Sequence, residues 1–135
     1  MIETKVSNDI AKQLTDIYEL DEVWHTNKMT HDEAIKYHQE CLNNGNIVVY
    51  LKDGIVVGYY ERYIIGRTCV LYNVFIKPDY RRGFVWKELY RHFFNTMPKH
   101  ISKVIGEKQK IDGKLVSKFI TKGRINKEVV QHGVN

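Results

Sequence analysis

Three β-type runs that follow one another with almost no chain between them constrain the fold of this sequence most strongly. They read "NIVVYL" (46–51), "IVVGYYERYII" (55–65) and "TCVLYNVFI" (68–76), and β-branched and aromatic residues dominate them. Asp53-Gly54 lies between the first two runs, and both residue types accept the positive φ angles of a tight hairpin. Gly66-Arg67 supplies the second turn. Runs joined so closely must pair with their neighbours in sequence, which predicts an antiparallel meander.

Two helices are predicted before the meander. Ser7 is a capping residue for a helix over residues 7–24, in which apolar residues recur at helical spacing. Thr30 and Glu33 have the spacing of a capping box, which predicts a second helix over 30–42.

Another helix, a strand and a last helix are predicted after the meander. Pro78 ends the third strand, and an apolar helical stripe follows. The stripe places Trp86 in the core and consists of Trp86, Leu89, Tyr90, Phe93 and Phe94. A short strand is predicted at 102–108, a last helix at 113–122 between Asp112 and Gly123, and an edge strand in 124–135. The whole order predicts an α+β fold with a mostly antiparallel sheet.

The bulk properties favour one intracellular domain. A chain of 135 residues with 43% hydrophobic residues suits a single domain over 1–135. It has no long apolar run, so we expect no membrane span. The polar N-terminus is unlike a secretion signal, and Cys41 and Cys69 make no disulfide framework. A cytoplasmic location is therefore predicted.

The net charge of +5 is divided unevenly along the chain. Residues 1–76 hold 7 basic and 11 acidic residues, whereas residues 77–135 hold 14 basic and 5 acidic ones. The sign changes at "KPDYRRGFVWKEL" (77–89), where a strand feeds a helix. A basic C-terminal half is typical of a polyanion-binding surface, whether the anion is a phosphorylated cofactor, a nucleic acid or an acidic protein, and it is equally typical of a solvated lysine-rich surface.

This junction resembles that of the GNAT superfamily of acyl-CoA-dependent N-acyltransferases. The resemblance covers residues 46–124 and lies mainly in "LYNVFIKPDYRRGFVWKELYRHFF" (71–94), where a strand, Pro and Arg precede a helix. It implies a GNAT-like α+β fold and acetyl-CoA as the cofactor. It also implies that the backbone of Val74, Phe75 and Ile76 holds the pantetheine arm like an added strand. The pyrophosphate would then lie on the backbone of residues 82–87, a helix N-terminus being a ready anion site. The cofactor-binding residues implied at this junction are Arg81, Arg82, Gly83 and Lys87.

The sequence departs from the family pattern at three positions. Phe84 and Trp86 stand where the family has the glycines of its phosphate loop, and Gly83 is one position early. The tyrosine that many members use to protonate the leaving thiolate corresponds to Phe119, which has no proton to donate. The resemblance therefore predicts an acetyltransferase or a GNAT-fold protein that has lost catalysis, and it leaves open whether the chain is an enzyme.

Glu61 and Tyr72 are the candidate catalytic residues. Strand alternation places Glu61 on the same face as Ile55, Val57 and Tyr59, where it could act as a general base. The alternative for Glu61 is a strand-end carboxylate paired with Arg62 or a lysine. The alternative for Tyr72 is a half-buried sheet aromatic.

Other functions have weaker sequence support. His31 and His38 are too far apart for a one-turn metal pair, so no metal site is predicted. No Ser/His/Asp order and no P-loop signature is present. Lys114, Lys118 and Lys122 would form a stripe on the last helix, which keeps nucleic-acid binding as an alternative. The small size and altered loop are similar to GNAT-like proteins of tailed phages, which would imply an accessory or virion-associated protein in the host cytoplasm or the virion.

Overall fold

The chain folds around one mixed sheet with helices on both faces. A computed structural model describes residues 1–3, 7–20, 29–109 and 115–120. Within these ranges there are three α-helices, six β-strands and one short 3₁₀ turn. In chain order they are β1 (Ile2–Glu3), α1 (Asn8–Glu19), α2 (His31–Asn43), β2 (Ile47–Lys52), β3 (Ile55–Ile65), β4 (Thr68–Ile76), the 3₁₀ turn (Pro78–Tyr80), α3 (Phe84–Asn95), β5 (Lys103–Gln109) and β6 (Leu115–Ile120).

The strands lie in the sheet in their sequence order, from β1 to β6. Every neighbouring pair is antiparallel except β4 and β5, which are parallel. The exception has a simple cause, because α3 lies between these two strands and carries the chain back across the sheet. The mostly antiparallel α+β sheet predicted from the sequence is therefore confirmed.

The meander forms as the sequence predicts. Strands β3 and β4 have the predicted bounds, 55–65 and 68–76. Asp53 has a φ angle of 52° and Gly54 one of 78°, so both residues of the first turn adopt the left-handed conformation that Asp-Gly favours. Thr30 and Glu33 form the predicted capping box at the start of α2.

The sheet has a separate apolar cluster on each face. On one face α3 packs on the sheet through Val85, Leu89 and Phe93. On the other face α1 and α2 cover Ile47, Val49, Val56 and Tyr59. A bulge in β3 places Val57 on the α3 face, away from Tyr59, because Tyr50 pairs with Gly58 while Leu51 pairs with Val56. The expectation that Val57 shares a face with Glu61 is therefore wrong, since alternation breaks at the extra residue.

Gly58 allows α3 to approach the sheet closely. A Cβ atom at this position would lie 2.9 Å from Val85 Cγ1 and 3.1 Å from the Phe75 carbonyl oxygen. Val85, rather than Trp86, thus occupies the first contact between the helix and β3. Trp86 is 44% exposed and its ring lies 5.7 Å from that of Tyr90, so the prediction that Trp86 is a core residue is wrong.

The predicted last helix is also wrong. Residues 115–120 form β6, antiparallel to β5, with Phe119 paired to Gly106. The segment "LVSKFI" suits either structure locally, and pairing with the open edge of β5 satisfies its backbone groups. Lys118 therefore lies on a strand rather than on a helical stripe, and Lys114 and Lys122 lie outside the described residues.

The described helices are short, with 12, 13 and 12 residues. The first ends at Glu19 rather than at residue 24, and residues 21–28 lie outside the described part of the chain. The edge strand predicted in 124–135 also lies outside it. None of the helices in the described ranges has the length and apolar character needed to cross a membrane.

Candidate active site

Strands β4 and β5 pair over only part of their length. The parallel ladder runs from Thr68–Lys103 to Leu71–Gly106 and stops there. β4 continues to Ile76, and among the described residues no strand pairs with residues 72–76 on the side away from β3. We call this feature the β4–β5 gap. Within the described residues, Val74, Phe75 and Ile76 therefore have no strand partner on this side, which is the arrangement that an extended ligand can pair with.

A bulge lies at the start of the gap. Across β3 and β4, Glu61 pairs with Asn73 and Arg62 pairs with Leu71, so Tyr72 is the extra residue. A bulge of this kind redirects the side chain and interrupts the regular hydrogen-bond pattern. Tyr72 is 40% exposed, and its ring meets that of Tyr63 edge-on with the centroids 6.2 Å apart.

The N-terminus of α3 follows at the far end of the gap. Gly83 is the N-cap and makes no side-chain cap hydrogen bond, and no neighbouring atom lies within 4 Å of where its Cβ would be. The first N–H groups of a helix lack partners within the helix, and they carry the positive end of its dipole. The Arg81 Nε donates a 2.8 Å hydrogen bond to the Ile76 carbonyl oxygen, which ties the end of β4 to this turn. The side chains of Arg82 and Lys87 are exposed beside it.

Both aromatic residues of this turn are exposed. Phe84 is 75% exposed, which is more than Trp86. A pocket of about 440 Å³ lies between the turn and the end of β2. Its wall includes Lys52, whose Nζ lies 5.4 Å from the centre of the Tyr80 ring. The lining residues are Met1, Tyr50, Leu51, Lys52, Asp79, Tyr80, Arg82, Gly83, Phe84 and Val85.

Glu61 is the buried carboxylate nearest the bulge in the paired sheet, and its side chain is only 2% exposed. Its two oxygens accept hydrogen bonds from Tyr18 Oη on α1 and Tyr63 Oη on β3. The Tyr63 oxygen also lies 2.8 Å from Tyr37 Oη on α2. We call Glu61, Tyr18, Tyr63 and Tyr37 the Glu61 cluster.

The alternative prediction, in which Glu61 is a strand-end carboxylate paired with Arg62 or a lysine, is wrong. The Arg62 side chain lies on the opposite face of the sheet, where its guanidinium donates to the Phe93 carbonyl oxygen at 2.9 Å and to Thr96. Phenols, rather than Arg62 or a lysine, therefore satisfy the Glu61 carboxylate in the described part of the chain. The buried carboxylate is thus satisfied by neutral hydroxyl donors and by no cation among the described residues.

Burial controls the ionisation of the phenols in the cluster. It raises the pKa of Tyr63, and the hydrogen bond to Glu61 adds to the rise. Burial also raises the pKa of Tyr18 and of Tyr37. All three phenols therefore keep their protons at neutral pH and act as donors to the carboxylate and to one another.

A second polar contact lies behind the cluster. Thr15 Oγ1 lies 2.7 Å from His38 Nδ1 and donates to the Ala11 carbonyl oxygen at 2.8 Å. The hydroxyl proton is thus used, and Nδ1–H is the donor to Thr15. The His38 ring packs on Tyr18 with centroids 4.6 Å apart, and burial lowers the pKa of His38 to about 4. His38 is therefore a neutral structural residue at pH 7.

The predicted site residues lie at the two ends of the gap and along the strand edge between them. Glu61 and Tyr72 lie at the bulge end, and Val74, Phe75 and Ile76 form the edge of β4 between the two ends. The residues of the α3 N-terminus lie at the other end and comprise Arg81, Arg82, Gly83 and Lys87. Sequence reasoning missed the phenols of the cluster. Alternation from Glu61 could have found Tyr63, but Tyr18 and Tyr37 come from helices that only the tertiary fold brings to the sheet.

The structure also brings together three groups that the sequence did not associate. Ligand atoms of Asp16, Glu19 and His31 all lie within 4.8 Å of one another on α1 and at the start of α2. His31 Nδ1 lies 2.7 Å from Glu19 Oε1, and this hydrogen bond raises the pKa of His31. An exposed ion pair accounts for the contact.

Sequence comparison finds no protein-family model that matches this chain and no curated protein of similar sequence. Comparison of structures does find similar folds. A PaiA N-acetyltransferase from Thermoplasma acidophilum, in complex with coenzyme A, is similar with a TM-score of 0.55 and 16% identity. The match covers 82% of this chain and 79% of that one.

Two further acetyltransferases, each in complex with a small molecule, are similar as well. Diaminobutyrate acetyltransferase EctA from Paenibacillus lautus, in complex with L-2,4-diaminobutyric acid and coenzyme A, has a TM-score of 0.59 and 10% identity over 81% of this chain and 65% of its own. An aminoglycoside acetyltransferase from an uncultured soil metagenomic sample, in complex with sisomicin, has a TM-score of 0.53 and 20% identity, with coverage of 83% and 79%. The protein therefore has the fold of the GNAT acetyltransferases.

Proposed function

We propose that this protein is an N-acyltransferase that moves an acetyl group from acetyl-CoA to an amine. One observation carries the proposal: the β4–β5 gap has a phenol-bound buried carboxylate at one end and a helix N-terminus at the other. Solved structures of the same fold with coenzyme A bound support this assignment. A single domain spanning residues 1–135 and a cytoplasmic location are part of the proposal.

The residues of the gap fit an acyl-CoA. The open edge at Val74, Phe75 and Ile76 offers amide partners to a pantetheine arm, in the manner of an added strand. The α3 N-terminus, with Arg82 and Lys87, would hold the pyrophosphate. Phe84 and Trp86 replace two glycines, but both side chains are exposed, and the φ angle of −128° at Gly83 does not require glycine.

The chain's own residues would accept and donate the protons that the acetyl transfer requires. The bound cofactor would supply the reactive thioester carbonyl. Glu61 is assigned the general base, because it is the buried carboxylate beside the bulge. Tyr72 is assigned the proton donor to the leaving thiolate, a role that Phe119 cannot take.

A cationic amine is the acceptor class that we propose. Helices α1 and α2 flank Glu61 and belong to the acidic half of the chain. Two enzymes with the same fold are bound to L-2,4-diaminobutyric acid and to sisomicin, which are both amines.

Calorimetry with acetyl-CoA tests the cofactor assignment. We expect micromolar binding to the wild type and at least tenfold weaker binding to an Arg82→Ala/Lys87→Ala variant. Arg81 is left intact, because its loss would release the end of β4. Lys99→Ala, a basic residue beyond α3, is the matched control and should bind like the wild type. No heat at millimolar acetyl-CoA would refute the proposal.

The acceptor assignment needs a separate assay. Release of free thiol is followed with L-2,4-diaminobutyric acid, sisomicin and a peptide with an N-terminal alanine as acceptors. We expect Glu61→Gln to lose activity by roughly 100-fold or more while cofactor binding is retained, since a general base contributes about 10²–10⁴-fold.

A GNAT-fold binding protein without catalysis is the second candidate. The exposed Phe84 and Trp86 beside Arg82 and Lys87 favour it, because aromatic rings among cations suit a polyanion or a protein partner. Salt-dependent binding of single-stranded DNA without any binding of acetyl-CoA would support this candidate. The resemblance to phage-encoded and virion-associated proteins stays a prediction.

A further inference from the structure

The burial of Glu61 poses a problem for its role as a base. With 2% of its side chain exposed, the carboxylate cannot touch an amine that arrives from solvent. A general base must reach its proton directly or through one intermediate. Some other group must therefore connect Glu61 to the β4–β5 gap.

Tyr63 is the group that makes this connection. Its hydroxyl donates to Glu61 Oε2, and its ring meets Tyr72 edge-on at the start of the gap. It is half-buried, whereas Tyr18, the other donor to Glu61, is only 3% exposed. Tyr63 thus lies between the carboxylate and the exposed bulge residue.

Tyr63 can pass a proton without ionising. Tyr63 donates to Glu61, so the hydrogen bond with Tyr37 runs from Tyr37 to the Tyr63 oxygen. The Cys41 thiol also hydrogen-bonds Tyr63, so an incoming N–H would replace this weak donor at the second lone pair of the oxygen. Because burial raises its pKa, Tyr63 is protonated at rest and can accept a proton only as it gives its own away.

We propose that Tyr63 relays a proton from the acceptor ammonium to Glu61. One ammonium N–H proton moves to Tyr63 Oη while the phenolic proton moves to Glu61 Oε2. The amine becomes a neutral nucleophile, the phenol is regenerated, and the carboxylate becomes a carboxylic acid, so charge and protons balance. Between turnovers the proton on Glu61 leaves through Tyr63 to solvent water in the gap, which accounts for the one proton released when an ammonium ion is acetylated by a thioester. This inference rests on the proposed acyltransferase function.

The groups that could interfere with the relay are few in the described part of the chain. Those on the same face around Glu61 and Tyr63 are Tyr18 from α1, Tyr37 and Cys41 from α2, Tyr59 from β3 and Tyr72 from β4. Burial raises the pKa of Tyr18, Tyr37 and Cys41, so these three stay neutral at pH 7. Arg62 lies on the other face of the sheet.

Infrared spectroscopy tests the hydrogen bond without any ligand. The difference spectrum between the wild type and Glu61→Gln assigns the carboxylate band of Glu61. This band should shift in the Tyr63→Phe variant and should stay unchanged in Tyr90→Phe, which alters a matched tyrosine on α3. An unshifted band in Tyr63→Phe overturns the relay, whatever the activity of the protein.

Kinetics then test the role, with the acceptor of the panel that reacts fastest. We expect Tyr63→Phe and Glu61→Gln each to lower kcat by about 100-fold, and the double variant to be no slower than the slower single one. The dependence of the rate on pH is a second readout. The rate of the Tyr63→Phe variant should follow the fraction of the acceptor that is present as free amine, so it should rise with pH up to the acceptor's own pKa. The wild-type rate should level off at a lower pH, and the Tyr90→Phe rate should match that of the wild type. A Tyr63→Phe rate within threefold of wild type, or losses that multiply in the double variant, would overturn the relay. A band that shifts in Tyr63→Phe, together with a wild type that acetylates no amine, would instead show that the proposed function itself has failed, and the relay with it.

Discussion

Glu61 is a carboxylate within a strand, and its neighbours in space, rather than its neighbours in sequence, determine its hydrogen bonds. Arg62 follows it directly, yet consecutive strand residues face opposite sides, so Arg62 cannot neutralise it. Its direct partners are phenols from α1 and β3, and a third phenol, Tyr37 from α2, is hydrogen-bonded to Tyr63. Proximity in sequence is thus a poor guide to ion pairing within a strand.

Replacing Gly58 by Ala should destabilise the fold by about 1–3 kcal/mol, since the new methyl group would overlap Val85 Cγ1 at 2.9 Å and the Phe75 carbonyl oxygen at 3.1 Å. Urea unfolding measures the change. Gly83→Ala, where nothing lies within 4 Å, is the control and should cost less. Equal losses in the two variants would contradict the close contact between α3 and β3.

The buried His38 should make stability depend on pH. Burial lowers its pKa in the folded state to about 4, whereas the unfolded chain has an ordinary value of about 6.5. The unfolded state therefore binds more protons, and stability is full above pH 6.5 and falls as the pH drops toward 4. His38 alone should lower the free energy of unfolding by about 2 kcal/mol between pH 7 and pH 5.

Urea unfolding at pH 7 and pH 5 measures this loss. A His38→Gln variant should be less stable at pH 7 but should show a smaller change between the two pH values. The same pH dependence in both proteins would assign the effect to other groups.

At the scale of elements, the strands of the meander are specified locally and the C-terminal segment is not. Tight turns force β2, β3 and β4 to pair, so their bounds follow from the sequence. The segment 115–120 has residues that suit both a helix and a strand, and pairing with β5 decides its state. The helical pattern around Trp86 likewise does not decide by itself which residues of α3 face the sheet. The close contact between α3 and Gly58 decides it.

Hydrogen exchange should distinguish the two halves of β4. Residues 68–71 are paired on both sides, whereas residues 73–76 are paired only with β3 in the described chain. We expect amides in 73–76 to exchange faster than those in 68–71. Saturating acetyl-CoA should slow exchange in 73–76 and in the first turn of α3. Protection elsewhere but not in β4 would place the cofactor outside the gap.

At the scale of the whole molecule, charge is segregated along the chain. The acidic half contributes α1 and α2 beside Glu61, and the basic half contributes Arg82 and Lys87 at the α3 N-terminus. This division would draw a cationic acceptor and an anionic cofactor to different ends of the gap.

Salt should therefore weaken cofactor binding. Raising NaCl from 50 to 500 mM should increase the Kd for acetyl-CoA by roughly tenfold, because exposed Arg82 and Lys87 are screened over a few ångströms at high ionic strength. The Arg82→Ala/Lys87→Ala variant should show a smaller change. Calorimetry across the salt series measures both proteins, and a salt-independent Kd would mean that backbone groups alone hold the phosphates.

The sequence by itself determined the meander, the two capped N-terminal helices, the mostly antiparallel α+β sheet and the position of the strand–loop–helix junction. These follow from period-two patterns, turn residues and caps, which act over a few residues. Only the tertiary structure decided that β4 and β5 part after Leu71, that residues 115–120 form a strand and that phenols from α1 and α2 join the Glu61 cluster. Those outcomes depend on contacts between residues that are distant in the chain, and no local pattern records which distant partner will satisfy an open strand edge or a buried carboxylate.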